Sequence, residues 1–465
     1  MTDHSYLEFA LKNSLEATSL KHYQLLQDSN SMKLYKLEVW PLILKPNQLD
    51  QLKEASEGIV RLLQKIPSYF FMDNFYDFFK SYASEGDISL IELAFTNSIE
   101  TEIAYRPDFI ITEQGWKCLE INAGNAGGWI VSMLAPIYSK VPIIARYLES
   151  KRWKLSSPNT ALLLFKTLVK ASFKRHITPF YKNTINSVII VPFESKREFN
   201  KDSLKFCQEA YCQAINEMVP EHKGELAFCQ YADLQFIDEK VFFNGKEIHI
   251  IYEEEITSIS SRMKALRLSK KSYLHVNPGI VTRFLNDKRL LALLSENQQN
   301  SRLGEFNQKL IYNYIPWTRQ FLSVTSTYHS ESVYLPDFVF QNREKMVLKK
   351  AVSHGGEGVF LGKMCTQSQW SVILEKALIE KDWVVQEIVI SNSFTLLEGE
   401  GKTASYEAVW GPFVIENKYA GGFIRILSPD GYVLKDKGDN QSLINSFNSD
   451  KNVKISPIFS YTSIA

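Results

Sequence analysis

The sequence is poor in cysteine, with five residues in a chain of 465. These are Cys118, Cys207, Cys212, Cys229 and Cys365. No two of them form a CxxC pair, and no histidines follow them at zinc-finger spacing. An odd number without such spacing argues against a disulfide framework and a structural zinc site. We expect reduced, mostly buried thiols, as in a cytoplasmic protein.

The chain also lacks an excess of charge and a long apolar run. Its 53 basic residues face 52 acidic ones, a balance that gives no sign of nucleic-acid or membrane-surface binding. The first residues are polar and acidic, unlike a secretory signal. The most apolar windows are interrupted by Lys140 and Lys166, so we expect no transmembrane segment. The expected setting is cytoplasmic, with neither nucleic acid nor membrane as a partner.

What is present is apolar material for a substantial core, at 45% of the residues. Helical periodicity predicts a helical N-terminal region over 1–100. A hairpin and a following helix are expected over 101–160, with that helix near 131–148. Alternating strands and helices predict an α/β lobe over 161–300, and a strand-rich lobe follows over 301–430. The last residues, 431–465, read as a polar tail.

A predicted hairpin over 105–129 carries the first chemical signal, with a turn at Gln114-Gly115. Side chains alternate between faces of a strand, so Glu120 and Asn122 share one face. Asp108 and Arg106 lie on the partner strand beside them. Two carboxylates and an amide oxygen are hard ligands of the kind magnesium takes. The alternative is an ordinary hairpin whose acids face water.

Two lysines occupy positions where phosphate contacts are common. Lys288 follows Asn286-Asp287 at a strand–loop–helix junction. Lys349 ends a strand that leads into a glycine-rich turn over 353–358, and a second strand returns after it. This pattern is not a P-loop, but backbone N–H groups of such a hairpin can cover a triphosphate. The alternatives are an exposed helix lysine and a mobile hairpin turn.

Two later strands carry polar residues in apolar surroundings. Gln386-Glu387 interrupts the apolar run over 383–389, which indicates either a site or the edge of a sheet. Arg425 follows the pair Gly421-Gly422 in another apolar strand. A buried arginine needs an anionic partner, which is either a ligand or an acidic side chain of the same chain.

Taken in this order, the segments resemble the circularly permuted ATP-grasp enzymes, the group that includes glutathionylspermidine synthetase and eukaryotic glutathione synthetase. The RxD…ExN motif matches Arg106, Asp108, Glu120 and Asn122, and a DDK-like helix start matches Asn286-Asp287-Lys288. The VLKP…GGxG loop matches Val347-Leu348-Lys349 and Gly355-Gly356-Glu357-Gly358. A QE pair matches Gln386-Glu387, and a glycine pair followed by an arginine matches Gly421-Gly422 and Arg425. The acids precede the lysines, which is the permuted order. Lys350 replaces the usual proline, and Glu253-Glu254-Glu255 stands where the family often has an arginine after a tyrosine.

The resemblance, over roughly residues 100–428, implies an ATP-grasp fold of the α/β (α+β) class with ATP between two antiparallel sheets, in the lobe over 301–430. It implies phosphate contacts from Lys288 and Lys349, a lid with Gly355, Gly356 and Gly358, adenine and ribose contacts from Gln386 and Glu387, and Mg²⁺ at Asp108, Glu120 and Asn122. Arg106 would meet the transferred phosphoryl group or a substrate carboxylate. Arg425 would bind a carboxylate or phosphate.

The activity that the resemblance implies is ATP-dependent ligation of a carboxylate to an amine through an acylphosphate. Both substrates would be small molecules or peptides; an acyl group on a carrier protein, and a homodimer, stay open. One alternative is a small-molecule kinase that uses the same nucleotide site. Another is a non-catalytic protein that binds ATP or a peptide.

Overall fold

The computed structural model describes residues 5–13, 36–38, 40–83, 103–124, 126–175, 184–191, 201–254, 259–271, 274–279, 282–353, 358–397, 402–427 and 453–464. The helices among them are α1 (Ser5–Lys12), α2 (Pro46–Gln64), α3 (Ile66–Phe71), α4 (Phe75–Tyr82), α5 (Ala135–Tyr138), α6 (Pro142–Lys151), α7 (Thr160–Arg175), α8 (Lys201–Met218), α9 (Ile259–Lys271), α10 (Thr282–Leu285), α11 (Arg289–Glu296), α12 (Gly304–Tyr314), α13 (Leu335–Gln341) and α14 (Gln367–Glu380).

The strands are β1 (Lys36–Leu37), β2 (Ala104–Thr112), β3 (Gly115–Gly124), β4 (Trp153–Ser156), β5 (Thr184–Ile190), β6 (Lys223–Cys229), β7 (Gln235–Ile237), β8 (Lys240–Phe243), β9 (Lys246–Glu247), β10 (Ile250–Glu253), β11 (His275–Asn277), β12 (Thr318–Gln320), β13 (Thr325–Tyr328), β14 (Glu331–Tyr334), β15 (Met346–Lys350), β16 (Val359–Leu361), β17 (Trp383–Glu387), β18 (Phe394–Leu397), β19 (Thr403–Ile415), β20 (Lys418–Leu427), β21 (Lys454–Pro457) and β22 (Ser460–Ser463). Together they form a mixed arrangement of helices and mainly antiparallel sheets, which is consistent with the expected α/β (α+β) class.

A seven-stranded sheet, the large sheet, organises most of the chain. Its order is β1-β21-β20-β19-β2-β3, with β18 paired to β19. Its pairings are antiparallel except for β1 with β21. The predicted hairpin is confirmed as β2–β3. The sequence predicted neither of the two strands at one edge of this sheet: β1 lies in the region expected to be helical, and β21 lies in the expected polar tail.

A four-stranded antiparallel sheet, the small sheet, has the order β12-β17-β15-β16. One of its faces packs on α13 and α14 through a separate apolar cluster that includes Leu348 and Val385. Because side chains alternate along a strand, their neighbours Lys349 and Gln386 point to the opposite face. The edge-strand interpretation of Gln386-Glu387 is wrong, since β17 lies between β12 and β15.

A third sheet differs from these two because its four strands are parallel. Its strands lie in the order β11-β10-β5-β6 with α7, α8 and α9 around them, within the range 161–300 where alternating strands and helices were expected. The single helix expected near 131–148 is wrong. A 3-10 turn over Trp129–Leu134, then α5 and α6, take its place. Each of these two helices has a proline in its first turn, where proline is tolerated. Over the described residues, no helix combines the length and apolarity needed to cross a membrane.

Candidate functional site

A cavity of about 230 Å³ lies between the large sheet and the small sheet. The apolar part of its wall comes from Ile110, Leu119, Val347, Val359, Leu361, Met364, Val389 and Val409. Polar groups come from Lys349, Lys363, Gln386, Glu387, Ser391 and Glu407. A mostly apolar wall with a few convergent polar groups is typical of a ligand pocket.

The small sheet holds Lys349 and Gln386 side by side on neighbouring strands. The Lys349 ammonium donates to Gln386 Oε1 at 2.7 Å and to the backbone oxygen of Leu119 at 3.2 Å. Gln386 in turn donates from Nε2 to Thr318 Oγ1 at 3.0 Å. Burial lowers the pKa of Lys349 to about 8, although the nearby Glu120 opposes that shift. The ammonium is therefore held by two hydrogen bonds, and the negative charge of Glu120 only partly offsets the cost of burying its positive charge.

A β-bulge explains why a backbone oxygen of the large sheet meets that lysine. Asp108 pairs with Glu120, but the next residue, Phe109, pairs with Cys118, so Leu119 is an extra residue in β3. A bulge bends the strand and redirects its groups, and bulges are frequent beside sites. Here the bulge places the Leu119 carbonyl against Lys349 and places Leu119 in the cavity wall.

Glu387 is half-buried where β17 ends and also lines the cavity. Its Oε1 accepts a hydrogen bond from the Tyr328 hydroxyl at 3.0 Å. The same oxygen lies 4.0 Å from His329 Nε2. A carboxylate in the wall of a mostly apolar cavity is a suitable acceptor for hydroxyl or amino groups of a ligand.

Three buried charges meet on the cavity side of the large sheet. Asp108 Oδ1 accepts from Arg106 Nε at 3.0 Å, and Oδ2 accepts from Arg425 Nη2 at 2.5 Å. Arg106 Nη1 also donates to the backbone oxygen of Gly127. The expected anionic partner of Arg425 is thus a carboxylate of the same chain. Burial alone would raise the pKa of Asp108, but the two guanidinium groups hold it below its usual value.

An aromatic ring supports both arginines. Phe423 lies two residues before Arg425 in β20, so both side chains project from the same face of the strand. The guanidinium carbon of Arg106 is 5.2 Å from the ring centroid, and that of Arg425 is 5.8 Å from it. Both distances are within the range of a cation–π contact.

Lys288 approaches from the start of α11 and completes the cluster. Its ammonium donates to the Ser353 carbonyl at 3.3 Å and lies 3.6 Å from Glu120 Oε2. Its own backbone N–H donates to Ala351 at 2.9 Å, which ties the helix start to the small sheet. The two residues before it have structural contacts: Asn286 bonds both backbone groups of Ala123, and Asp287 forms an ion pair with Arg289 at 2.6 Å.

The predicted magnesium ligands are close together, but they are not equally available. Asn122 donates from Nδ2 to Asp108 Oδ2 at 3.3 Å. Both Asp108 oxygens accept from arginines, whereas Glu120 is partly exposed. Within the described ranges, no cluster of three or more histidine, cysteine, aspartate or glutamate side chains is arranged to hold a metal ion.

The predicted lid lies only partly within the described residues. Gly355 and Gly356 fall outside them. Gly358 is described, and its carbonyl accepts from the Lys350 backbone at 2.8 Å, which closes the hairpin between β15 and β16. Lys350, in the usual place of proline, lies 3.6 Å from Glu380 and outside the cluster.

The cluster has an excess of positive charge. Lys288, Lys349, Arg106 and Arg425 are each at most 8% exposed, and they face the carboxylates of Asp108 and Glu120. Four positive charges against two negative ones leave these six side chains with a net charge of +2. Buried charges are costly unless they are paired, so this arrangement favours an anionic ligand.

The chain was compared with known proteins. No protein-family model matches it, and no curated protein matches it by sequence. Among solved structures, it is similar to a glutathione synthetase-like effector (GSS30) from Globodera pallida in its apo form. The TM-score is 0.52 over 96% of this chain and 97% of that chain, at 10% identity. The fold is glutathione synthetase-like. At this identity the likeness concerns the fold and does not extend to activity.

One residue of this site was not predicted from the sequence. Gly411, in β19, lies opposite the two charged residues of β2. A Cβ atom at Gly411 would be 2.9 Å from Arg106 Cδ and 3.3 Å from Asp108 Oδ1. Any larger residue at this position would therefore force the Arg106 side chain to shift. A glycine inside an apolar strand often marks such a close approach, and the run VWGPF contains that signal.

Proposed function

We propose that the chain is an ATP-dependent carboxylate–amine ligase with a circularly permuted ATP-grasp fold. The observation that carries this proposal is the cluster with a net charge of +2 beside an apolar cavity between two antiparallel sheets. The order of its parts along the chain adds support, since the acids on β2 and β3 precede the lysines Lys288 and Lys349.

The cavity and the cluster suit different parts of a nucleotide. At about 230 Å³, the cavity is smaller than the roughly 300–1,000 Å³ of a typical small-molecule pocket. It therefore suits the base, with Gln386 and Glu387 at the polar edge. The polyphosphate would extend toward Lys349 and Lys288, whose ammonium groups are strong partners for phosphate oxygens.

The arginines suit the acid substrate. Alternate residues of a strand lie about 6.7 Å apart and project from the same face. Arg106 and Asp108 therefore lie in a row with Ile110, which lines the cavity. A carboxylate held near Arg106 and Arg425 would attack the γ-phosphorus, forming a C–O–P bond as the bond to ADP breaks. An amine would then attack the acyl carbon, and phosphate would leave with one oxygen of the original carboxylate. The chain contributes positioning and charge stabilisation.

A divalent cation would fit this site in part. The available oxygen donors are the partly exposed Glu120 carboxylate and the amide oxygen of Asn122, since the Asp108 carboxylate is engaged by arginines. Magnesium takes one or two protein carboxylates together with phosphate oxygens and water, which is compatible with this reduced set. When bound, Mg²⁺ would neutralise the charge that develops on the phosphates.

A second candidate is a protein that binds ATP without turning it over. The observation in its favour is the state of Asp108, which removes one of the three implied magnesium ligands. The similar protein from Globodera pallida is named an effector. A small-molecule kinase would also use the cavity and the lysines, but it would not need an amine.

The proposal is tested by phosphate release from ATP with magnesium and a panel of amino acids, peptides and polyamines, supplied singly and in pairs. The products are identified by mass spectrometry. A ligase releases phosphate only when an acid and an amine are both present, and a condensed product appears. ADP with a stable phosphorylated product indicates a kinase. ATP binding without turnover across the panel indicates the non-catalytic candidate.

A further inference from the structure

The contacts of Asp108 distinguish two roles for that residue, namely that of a metal ligand and that of a carboxylate that orients neighbouring arginines. Asp108 is 2% exposed, and its two oxygens accept three hydrogen bonds from the guanidinium groups of Arg106 and Arg425. Asn122 donates a fourth bond to Oδ2. A carboxylate oxygen has about two acceptor sites, so Oδ2 already has more donors around it than it can serve well.

A magnesium ion at Asp108 would have to displace at least one guanidinium group and remain beside the other. Both arginines are buried, so the repulsion between the cations would be weakly screened. The geometry instead matches a buried carboxylate that orients charged donors. Packing supports the same orientation from two sides, with Phe423 against both guanidinium groups and Gly411 opposite the Arg106 side chain.

We propose that Asp108 is a positioning residue for an anion site formed by Arg106 and Arg425, and that it is not a metal ligand. Arg106 has five N–H donors. Arg106 donates to Asp108 through two nitrogens and to Gly127 through the third, which uses three of the five N–H groups. Two N–H groups are therefore available to a phosphoryl or carboxylate oxygen.

This inference rests on the anion site of the proposed function, but it does not require turnover. A metal ligand and a positioning residue respond differently to Asp108→Asn. Loss of a ligand weakens divalent-cation binding to the ATP complex. Loss of a positioning charge leaves two adjacent guanidinium groups without their shared counterion, so they separate and bind anions less well even in the absence of metal.

Two titrations on the full chain separate these roles. The first measures Mn²⁺ binding by electron paramagnetic resonance at saturating ATP. We expect Asp108→Asn to keep Mn²⁺ affinity within about threefold of the original chain, with Glu120→Gln at least about tenfold weaker as the reference for a lost ligand. The second measures binding of tripolyphosphate in EDTA by calorimetry. We expect Asp108→Asn and Arg425→Lys each to weaken it about tenfold, which is about 1.4 kcal/mol.

The double variant Asp108→Asn/Arg425→Lys tests whether Asp108 acts on the anion through the arginines. If Asp108 acts through the arginines, the double variant binds tripolyphosphate no more weakly than the single variants. Gly411→Ala is a second test that keeps every charge. Its Cβ would displace Arg106, so it too should weaken tripolyphosphate binding in EDTA, and it remains informative if Asp108→Asn does not fold.

Several results would overturn the proposal. The first is that Asp108→Asn loses Mn²⁺ binding to the extent seen in Glu120→Gln. The second is that Asp108→Asn and Gly411→Ala bind tripolyphosphate as tightly as the original chain or more tightly. The third is that the original chain does not bind tripolyphosphate. Failure of the ligase proposal has a different signature, namely ATP and tripolyphosphate binding without any phosphate release.

Discussion

Lys349 leads to a prediction about pH, because its charge changes in a range where nucleotide binding is easily measured. Burial lowers the pKa of its ammonium to about 8, Glu120 raises it and Lys288 lowers it further. A bound polyphosphate favours the charged form, so binding raises the pKa and takes up a proton. ATP affinity should therefore be full below pH 8 and should fall as the pH rises above it.

The size of the effect follows from the titration. With a pKa of about 8, the charged fraction of Lys349 in the free protein falls from about nine-tenths at pH 7 to about one-tenth at pH 9. If the bound ammonium stays charged throughout, the dissociation constant for ATP rises about tenfold over this range, which corresponds to about 1.4 kcal/mol.

Isothermal titration calorimetry at pH 7, 8 and 9 measures this dependence. Two buffers with different ionisation enthalpies report the proton uptake at each pH. Lys349→Met is the matched control, because it removes the ammonium and keeps the titration of ATP itself. We expect weak, nearly pH-independent binding in the variant. The same pH slope in both proteins would refute the assigned contact between Lys349 and phosphate.

Three further predictions concern turnover and stability. Glu120→Ala should abolish turnover and leave the far-ultraviolet circular dichroism unchanged; an active variant would contradict its assignment as a metal ligand. Glu38→Gln removes the buried carboxylate that lies 3.1 Å from the partly buried Lys454 ammonium, and it should lower the free energy of unfolding by about 3 kcal/mol in urea titrations while ATP affinity is retained. Gly128→Ala and Gly115→Ala both place alanine at a positive φ, 95° and 99° respectively. Only at Gly128 would the new Cβ overlap a ring, that of Phe423, so Gly128→Ala should lower the free energy of unfolding by about 1–3 kcal/mol more than Gly115→Ala. Equal losses in thermal unfolding would disprove the packing argument.

Local pattern was enough to predict the parts of the site that lie on single elements. Alternation placed Glu120 and Asn122 on one face of β3, and the structure confirms that face. The pattern also placed Lys349 beside a turn that joins two strands. In each case the side chains follow from the period of a strand, which does not depend on distant residues.

Contacts between distant segments could not be predicted in this way. Arg425 and Asp108 are 317 residues apart, so the sequence indicated only that the arginine needed an anion. The short strands β1 and β21 carry too few residues for a periodic signal, and they form because the edge of the large sheet offers backbone partners. The helix expected near 131–148 is different, since Pro136 and Pro142 were visible signals of new helix starts.

The most direct test of the ligase account follows the oxygen atoms of the acid substrate. An acid–amine pair found by phosphate release is supplied with ¹⁸O in its carboxylate, and the released phosphate is examined by mass spectrometry. Transfer through an acylphosphate predicts one ¹⁸O atom in each phosphate formed together with an amide. Unlabelled phosphate formed together with the amide would contradict the mechanism, because the acid would not have attacked the γ-phosphorus.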